Sequence, residues 1–364
     1  MANIQGILTT LNTAGAFQDL SPVVMETAAL YSVPLMAMLP RTVATNVKHE
    51  WVEDRRKPLS DALNGEINGS VTTVTVVDGT KFRIRDLIRV EDEVMLVTAR
   101  SVNDLTVVRA FGQTAAATHA TASAVEIIGN ANLEGADAIE SNATRKTVGF
   151  NMTQIFQTRV EVSGSKSAVH QPGGDEFTYQ LLKQLREHIV EIERALINGS
   201  RNDGSSSSPR TMAGLREFIT SHNVNASGTL TQDEFIGFLR GIFDDGGSPS
   251  LIVASPLAMQ AINFWGKGSL VARADDDLFG LAYAEYLCEF GLLRLVMDRH
   301  VPSGTLFALD PELIALAPLD GRDSRFIELA LTGDSESALI LTEATLELRN
   351  EYCHGRLYGI TGGA

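Results

Sequence analysis

The sequence predicts an α+β fold built from unlike pieces: an irregular arm, a long extended excursion carrying a small all-β module, one long helix, a mixed α/β region and a closing strand. Three observations carry the prediction. Residues 70–129 hold β-branched runs at short, regular intervals with turn residues between them. Residues 175–198 repeat apolar side chains at steps of three and four. After residue 211, helical and strand-like segments alternate.

Residues 1–46 read as the arm. Leu11 to Val24 mixes Thr, Asn, Gly and Ser with scattered apolar residues, and Pro34 and Pro40 limit any helix in the apolar patch Val33 to Leu39. Such a patch docks on its own domain or on a neighbouring copy. Residues 47–69 look extended, with partial alternation from Val47 to Asp54 and turn signals at Asn64-Gly65 and Asn68-Gly69. In the β module, Val71 to Val77, Leu87 to Val90, Val94 to Val97, Leu105 to Val108 and Val125 to Ile128 are the strand candidates of a barrel or sandwich with about six strands. Ala115 to Ala124 reads as a loop. Residues 130–168 return to extended character, and the alternation through Val160, Glu161, Val162 and Ser163 predicts a strand solvated on one side.

The long helix runs from about Asp175 to Asn198. Phe177, Leu181, Leu185, Ile189, Ile192 and Leu196 form its stripe, Leu182 and His188 border it, and Gly199 sits where a terminating glycine belongs. At 1.5 Å per residue the rod is roughly 36 Å long, more than a small domain needs. Asp203 to Ser208 is a flexible loop. Thr231 to Phe243 is a helix capped by Thr231, Leu251 to Ala254 a buried strand, and Pro256 opens a helix ending near Trp265. Leu292 to Met297, Thr305 to Leu309, Leu313 to Pro318 and Ala338 to Leu348 are further strands, and Tyr358 to Ile360 ends the chain.

Composition narrows the function. The chain of 364 residues is 44% apolar, enough for two or three compact units with real cores. No apolar run approaches the ~20 residues that span a bilayer, and Met1 to Gln5 lacks a secretory signal, so a cytoplasmic location is expected. Cys288 and Cys353 read as buried free thiols. A net charge of −15 argues against sequence-specific DNA binding. The basic cluster Arg55-Arg56-Lys57 reads as a solvated loop or a subunit contact, and Asp244-Asp245 and Asp275-Asp276-Asp277 as solvated turns or inter-subunit ion pairs.

Catalytic and cofactor motifs are missing: there is no G-x-S-x-G, no phosphate loop and no H-E-x-x-H. Gly164-Ser165-Lys166-Ser167 has the ending of a phosphate loop, but the next helix is expected about ten residues later. His188 with Glu191 has metal-ligand spacing but no matching Glu and His elsewhere, so it reads as a border histidine. His300 beside Asp298 lacks a nucleophile to serve. Neither an enzyme nor a cofactor or metal is expected.

The order of elements, and three local phrases, resemble the major capsid proteins of tailed bacteriophages, the fold named for phage Hong Kong 97. Thr153-Gln154-Ile155-Phe156-Gln157 running into Val160 to Gly164 resembles the return strand of that family's extension loop. Pro209-Arg210-Thr211-Met212-Ala213-Gly214-Leu215 resembles the passage into its axial domain, and Leu331 to Asp334 with Glu343 to Asn350 its C-terminal strand.

The resemblance implies an N-terminal arm (1–46), an extension loop (47–69 and 130–168), an inserted β-barrel-like domain (70–129), a peripheral domain (169–211 and 335–364, with spine helix 175–198) and an axial domain (212–334). It implies a shell of hexamers and pentamers enclosing double-stranded DNA that is contacted non-specifically, assembled in a bacterial cytoplasm, with separate scaffolding and portal proteins and room for a cement protein. Trp51, Arg55, Arg56, Lys57, Phe156, Arg159, Asp275, Asp276 and Asp277 are the inter-subunit contact candidates. An encapsulin-like compartment shell, a tail or decoration protein and an α/β enzyme with an added β module remain as alternatives.

Overall fold

A computed structural model describes residues 31–55, 57–135, 137, 141, 143–169, 175–265, 270–274, 282–330 and 333–363. The first elements are α1 (Pro34–Met38), β1 (Lys48–Glu53), β2 (Ser60–Ala62), β3 (Thr73–Thr75), β4 (Asp86–Val90), β5 (Glu93–Ser101), β6 (Asp104–Val108) and β7 (Ala124–Asn130). There follow β8 (Thr147–Met152), β9 (Gln154–Ser163), α2 (Gly164–Ala168), α3 (Glu176–Asn198), α4 (Leu215–Phe218), β10 (Asn223–Leu230), α5 (Gln232–Asp244), β11 (Leu251–Ala254) and α6 (Pro256–Trp265). The last are β12 (Leu270–Ala274), β13 (Ala282–Cys288), β14 (Gly291–Met297), β15 (Leu306–Leu309), β16 (Ile314–Pro318), β17 (Arg325–Glu328), β18 (Ser335–Leu348) and β19 (Gly355–Gly363). Contacts divide the chain into two units, Val52–Thr147 and the remainder.

In the smaller unit six strands pair in the order β2-β7-β4-β5-β6-β3. The two end strands also meet. Leu63 bridges Val76, the Val77 amide donates to the Ala62 carbonyl at 3.1 Å, and the Asn64 amide to Thr75 at 2.9 Å, so the sheet closes on itself. Closure removes the unpaired edges an open sheet would expose. Period-two alternation fills the inside with Val74, Ile88, Val90, Met95, Val97, Leu105, Val107 and Val125, joined by Phe82. The sequence places β2 in an extended segment; its pairing with β7 makes it a barrel strand.

The larger unit is organised by a seven-stranded sheet in the order β10-β19-β15-β11-β14-β13-β12. Its central strands are apolar on both sides. Leu251, Val253, Val296, Phe307 and Leu309 face a core shared with α1, α3, β16 and β18. Ile252, Ala254, Leu295, Leu306 and Ala308 face a second core built with α5 and α6. Each fully buried Val, Ile, Leu or Phe among them contributes roughly 1.5–3 kcal/mol. A second sheet pairs β16 and β17 with β18, and β9 runs antiparallel to β18 from Ser163↔Ser335 to Gln154↔Ala344.

Several local features differ from the sequence reading. A short helix, α2, begins at Gly164, with the Ser163 side chain accepting from the Lys166 amide; no ten-residue gap follows the strand. Helix α3 is capped by Asp175, whose carboxylate accepts from Thr178. Gly199 closes it with φ −58°, so left-handed backbone is not the reason for glycine there. A Cβ at Gly199 would lie 2.5 Å from the Ala195 carbonyl and 2.7 Å from that of Met212. Helix α1 and its caps, Val33 and Leu39, dock on their own chain, with Leu35 and Leu39 in the first core. Strand β19 lies between β10 and β15, in the sheet formed largely by residues 223–309. Both cysteines are free, but only Cys353 is buried; Cys288 is half-buried.

Candidate functional site

Strand β18 has two unlike faces. Ala344, Leu346 and Leu348 enter the apolar core, while Glu343, Thr345 and Glu347 form a buried polar column on the other side. Glu343 accepts from the Thr153 hydroxyl at 2.7 Å and from Arg210, and Arg322 is ion-paired with it at 2.6 Å. Burial pushes the Glu343 carboxyl up, but the Thr153 and Arg210 hydrogen bonds and the arginine charges outweigh it and hold it below the ordinary range. Glu347 meets His49 Nε2 at 2.8 Å and Arg349 Nε at 2.5 Å, and the His49 contact holds its carboxyl low against burial. Asn151 joins the seam: its amide nitrogen donates to the Ala213 and Leu346 carbonyls, and its oxygen accepts from the Ala213 amide at 2.9 Å. This column clamps the two chain segments, at His49 and at Asn151 to Thr153, from which the excursion to residue 147 departs and returns.

Helix α3 packs on β9 and β18 through its C-terminal half, where Ile192, Leu196 and Ile197 are buried. His188 is inside rather than at a border. Its Nδ1 bonds Thr158 at 2.9 Å and its Nε2 bonds Thr342 at 2.8 Å, and burial lowers its pKa from the ordinary value. The N-terminal half of the stripe is incompletely covered: Leu182 is 52% and Leu185 36% exposed.

In the smaller unit, Arg55 and Lys57 line a cleft of about 710 Å³ with Lys81, Arg83, Arg100 and Arg145. Within it Lys81 pairs with Asp61 at 2.7 Å and Arg83 with Asp86 at 3.4 Å. Burial lowers the Lys57 pKa, and the neighbouring Arg83 and Arg100 charges add to that against the pull of Asp86. A buried charge cluster lies elsewhere in the same unit, where Glu93 receives Arg109, His119 and two backbone amides. His119, in the segment read as loop, is therefore core.

The predicted contact residues separate on this map. Trp51 is 6% exposed, its ring 6.0 Å from Phe218 and 5.9 Å from His49. Phe156 is likewise buried, edge-on to His188. Phe156 belongs to the first core, and Trp51 packs beside Phe218, which borders that core. Arg159 projects from the opposite face of β9, exposed and 3.0 Å from Glu161. Arg56, Asp275, Asp276 and Asp277 lie outside the described residues, as do Leu11 to Val24 and Leu331-Thr332. The polar column was hidden in the sequence. Glu343, Thr345 and Glu347 alternate as a solvated face would, and only partners distant in the chain reveal burial.

Among the described residues no cluster of three metal-ligating side chains occurs, and no helix is long and apolar enough to cross a membrane. A family model described as "SU10 major capsid protein" matches residues 3–361. No curated protein matches by sequence. Among solved structures, the capsid asymmetric unit of cyanophage A-1(L) is similar at 11% identity and TM-score 0.50, covering 97% of this chain and 98% of that one. A structure of Mycobacterium phage Bobi aligns at 11% identity and TM-score 0.48 over 97% of both chains. The SrpI encapsulin complex of Synechococcus elongatus gives 14% identity and TM-score 0.45 over 62% of this chain and 80% of that one.

Proposed function

The chain belongs to the SU10 major capsid protein family, and from that premise we propose how its parts share the work of a shell. It is a structural protein of the virion capsid that assembles with copies of itself, and it is not an enzyme. The match of one capsid family over residues 3–361 carries this assignment.

Copies group as hexamers and pentamers in an icosahedral shell around double-stranded DNA, built in a bacterial cytoplasm with separate scaffolding and portal proteins and with room for a cement protein. The segments 47–69 and 130–168 form the extension loop, and 70–129 is a barrel inserted in it. Residues 169–211 with β18 make the peripheral domain. The axial domain is built on 212–334, and the sheet position of β19 supports adding that strand to it. Arg55, Lys57 and Arg159, which are at least partly exposed, and the uncovered Leu182–Leu185 face of α3 contact neighbouring copies. The clamp on β18 supports this division, because an excursion that reaches a neighbour needs a fixed root to transmit load.

Electron microscopy of the purified protein tests the reading. Closed icosahedral shells, filled with DNA and bearing a portal when isolated from infected cells, are expected. Discrete monomers refute assembly, and shells that hold protein cargo without DNA would move the protein to the compartment class.

A further inference from the structure

The first turn of α1 rests on a carboxyl group from α3. The amides of Leu35 and Met36 donate to Glu193 Oε1 and Oε2 at 2.7 and 2.8 Å. Glu193 has no exposed surface, and the group beside it is a second buried acid, Asp298, 1% exposed. Asp298 Oδ1 accepts from the His300 amide at 2.8 Å. Its Oδ2 is buried with no donor among the described residues. A proton shared with Glu193 is what would satisfy that oxygen, because two ionised carboxylates offer only acceptors to each other.

The surroundings hold little to neutralise a second negative charge. Helix α1, Pro34–Met38, contributes no ionisable side chain. The Tyr31 ring lies against Arg186, and Arg194 and Arg299 are exposed to solvent. Among the described residues His300 is the basic group that acts on the pair; it draws Asp298 down while its Nε2 faces the Ser32 carbonyl at 3.3 Å. Burial first, and the Asp298 charge second, push the Glu193 carboxyl up to about 8 against the opposing pull of the Met36 and Leu35 amides, and burial raises Asp298 as well. Two acids in one buried site titrate as a unit, with one proton retained far above the ordinary carboxyl range.

We propose that the Glu193–Asp298 pair is a proton-operated latch on the arm: with one shared proton it holds residues 31–39 against α3, and with both carboxyls ionised it lets them go. The sign follows from linkage. Docked, the pair keeps a proton that the undocked, hydrated groups lose near their ordinary values. Undocking therefore releases one proton between about pH 4.5 and about pH 8, and its equilibrium constant rises about tenfold per pH unit across that window. The latch is a property of the single chain, so failure to form shells would not count against it.

Amide hydrogen exchange on the full-length protein tests it, with the intrinsic base-catalysed rate divided out. The Leu35 and Met36 amides should lose about 100-fold in protection between pH 5.5 and 7.5. The Leu196 amide in α3 should keep its protection. Glu193→Gln should abolish the slope, since it removes the carboxyl that keeps the proton, and Asp298→Asn should flatten it, since the neighbouring charge goes while the burial of Glu193 stays; if one variant does not fold, the other decides. A flat wild-type profile, or the same slope in a folded variant, overturns the latch. Parallel loss at Leu196 overturns it too, because that marks opening of the whole unit.

Discussion

Glu93→Gln removes one charge from the barrel and leaves its shape unchanged. The wild-type carboxylate is 1% exposed. It accepts from Arg109 Nε and an Arg109 terminal nitrogen at 2.7 Å each, from the Ala110 and Ala117 amides at 3.1 and 3.0 Å, and lies 2.9 Å from His119 Nε2. Burial pushes the carboxyl up, but these donors outweigh it and bring it from 4.5 to about 2. A difference of 4.5 − 2 = 2.5 units is about 3 kcal/mol of preference for the charged form. Breaking a buried ion pair from one side costs about 3–5 kcal/mol by mutational experience, which agrees. The variant should therefore lose about 3 kcal/mol of local stability at pH 7. Because the folded-state pKa is depressed, this contribution is present above about pH 4.5 and fades as the pH falls toward about 2. The assay is hydrogen exchange at Ala110 and Ala117 in the full-length protein, with denaturant melts followed at pH 7 and pH 3. A difference under about 0.5 kcal/mol at pH 7, or one of equal size at both pH values, would refute the reasoning.

Glu343→Ala strands Arg210 and Arg322; since Arg322 is 38% exposed, the cost should be about 2–3 kcal/mol rather than the full buried-pair value, read as a lowered melting midpoint at pH 7 whose difference from wild type shrinks under acid. His188→Ala leaves the Thr158 and Thr342 hydroxyls facing a cavity and should cost about 2–3 kcal/mol in thermal unfolding. The wild-type His188 contribution, from a neutral buried imidazole of lowered pKa, is present above about pH 6.5 and lost as the pH falls, so the two proteins should converge in acid. Leu185→Glu should leave the melting of the isolated chain within about 0.5 kcal/mol of wild type, yet shift sedimentation from shells to small species; unchanged shells would remove that face of α3 from the assembly surfaces.

The parts of the fold legible in sequence are those whose signal is local. Helix α5 shows its Thr231–Glu234 capping box, and β11 its short apolar run before Pro256. Strands β4 to β7 show alternation between turn residues. Strands β10, with Asn223 to Leu230, and β19, with its four glycines, carry almost no strand propensity. They exist because they pair with each other, and because β19 also pairs with β15.

Sequence by itself determined the kind and order of the elements with a local signal, and the capsid resemblance, because periodicity, caps and turn chemistry act over a few residues. Tertiary structure alone decided which faces are spent internally. Trp51 and Phe156 are buried in the single chain beside Phe218 and His188, which no local pattern announces. Glu343 and Glu347 look solvated until Arg210 and His49 arrive from far along the chain. Glu193 looks like one more acid on the polar side of a helix until the arm lays two amides on it and Asp298 comes up beside it. A strand or helix declares its two sides by its own period, but whether the polar side meets water or a partner is settled only by residues brought from elsewhere in the chain.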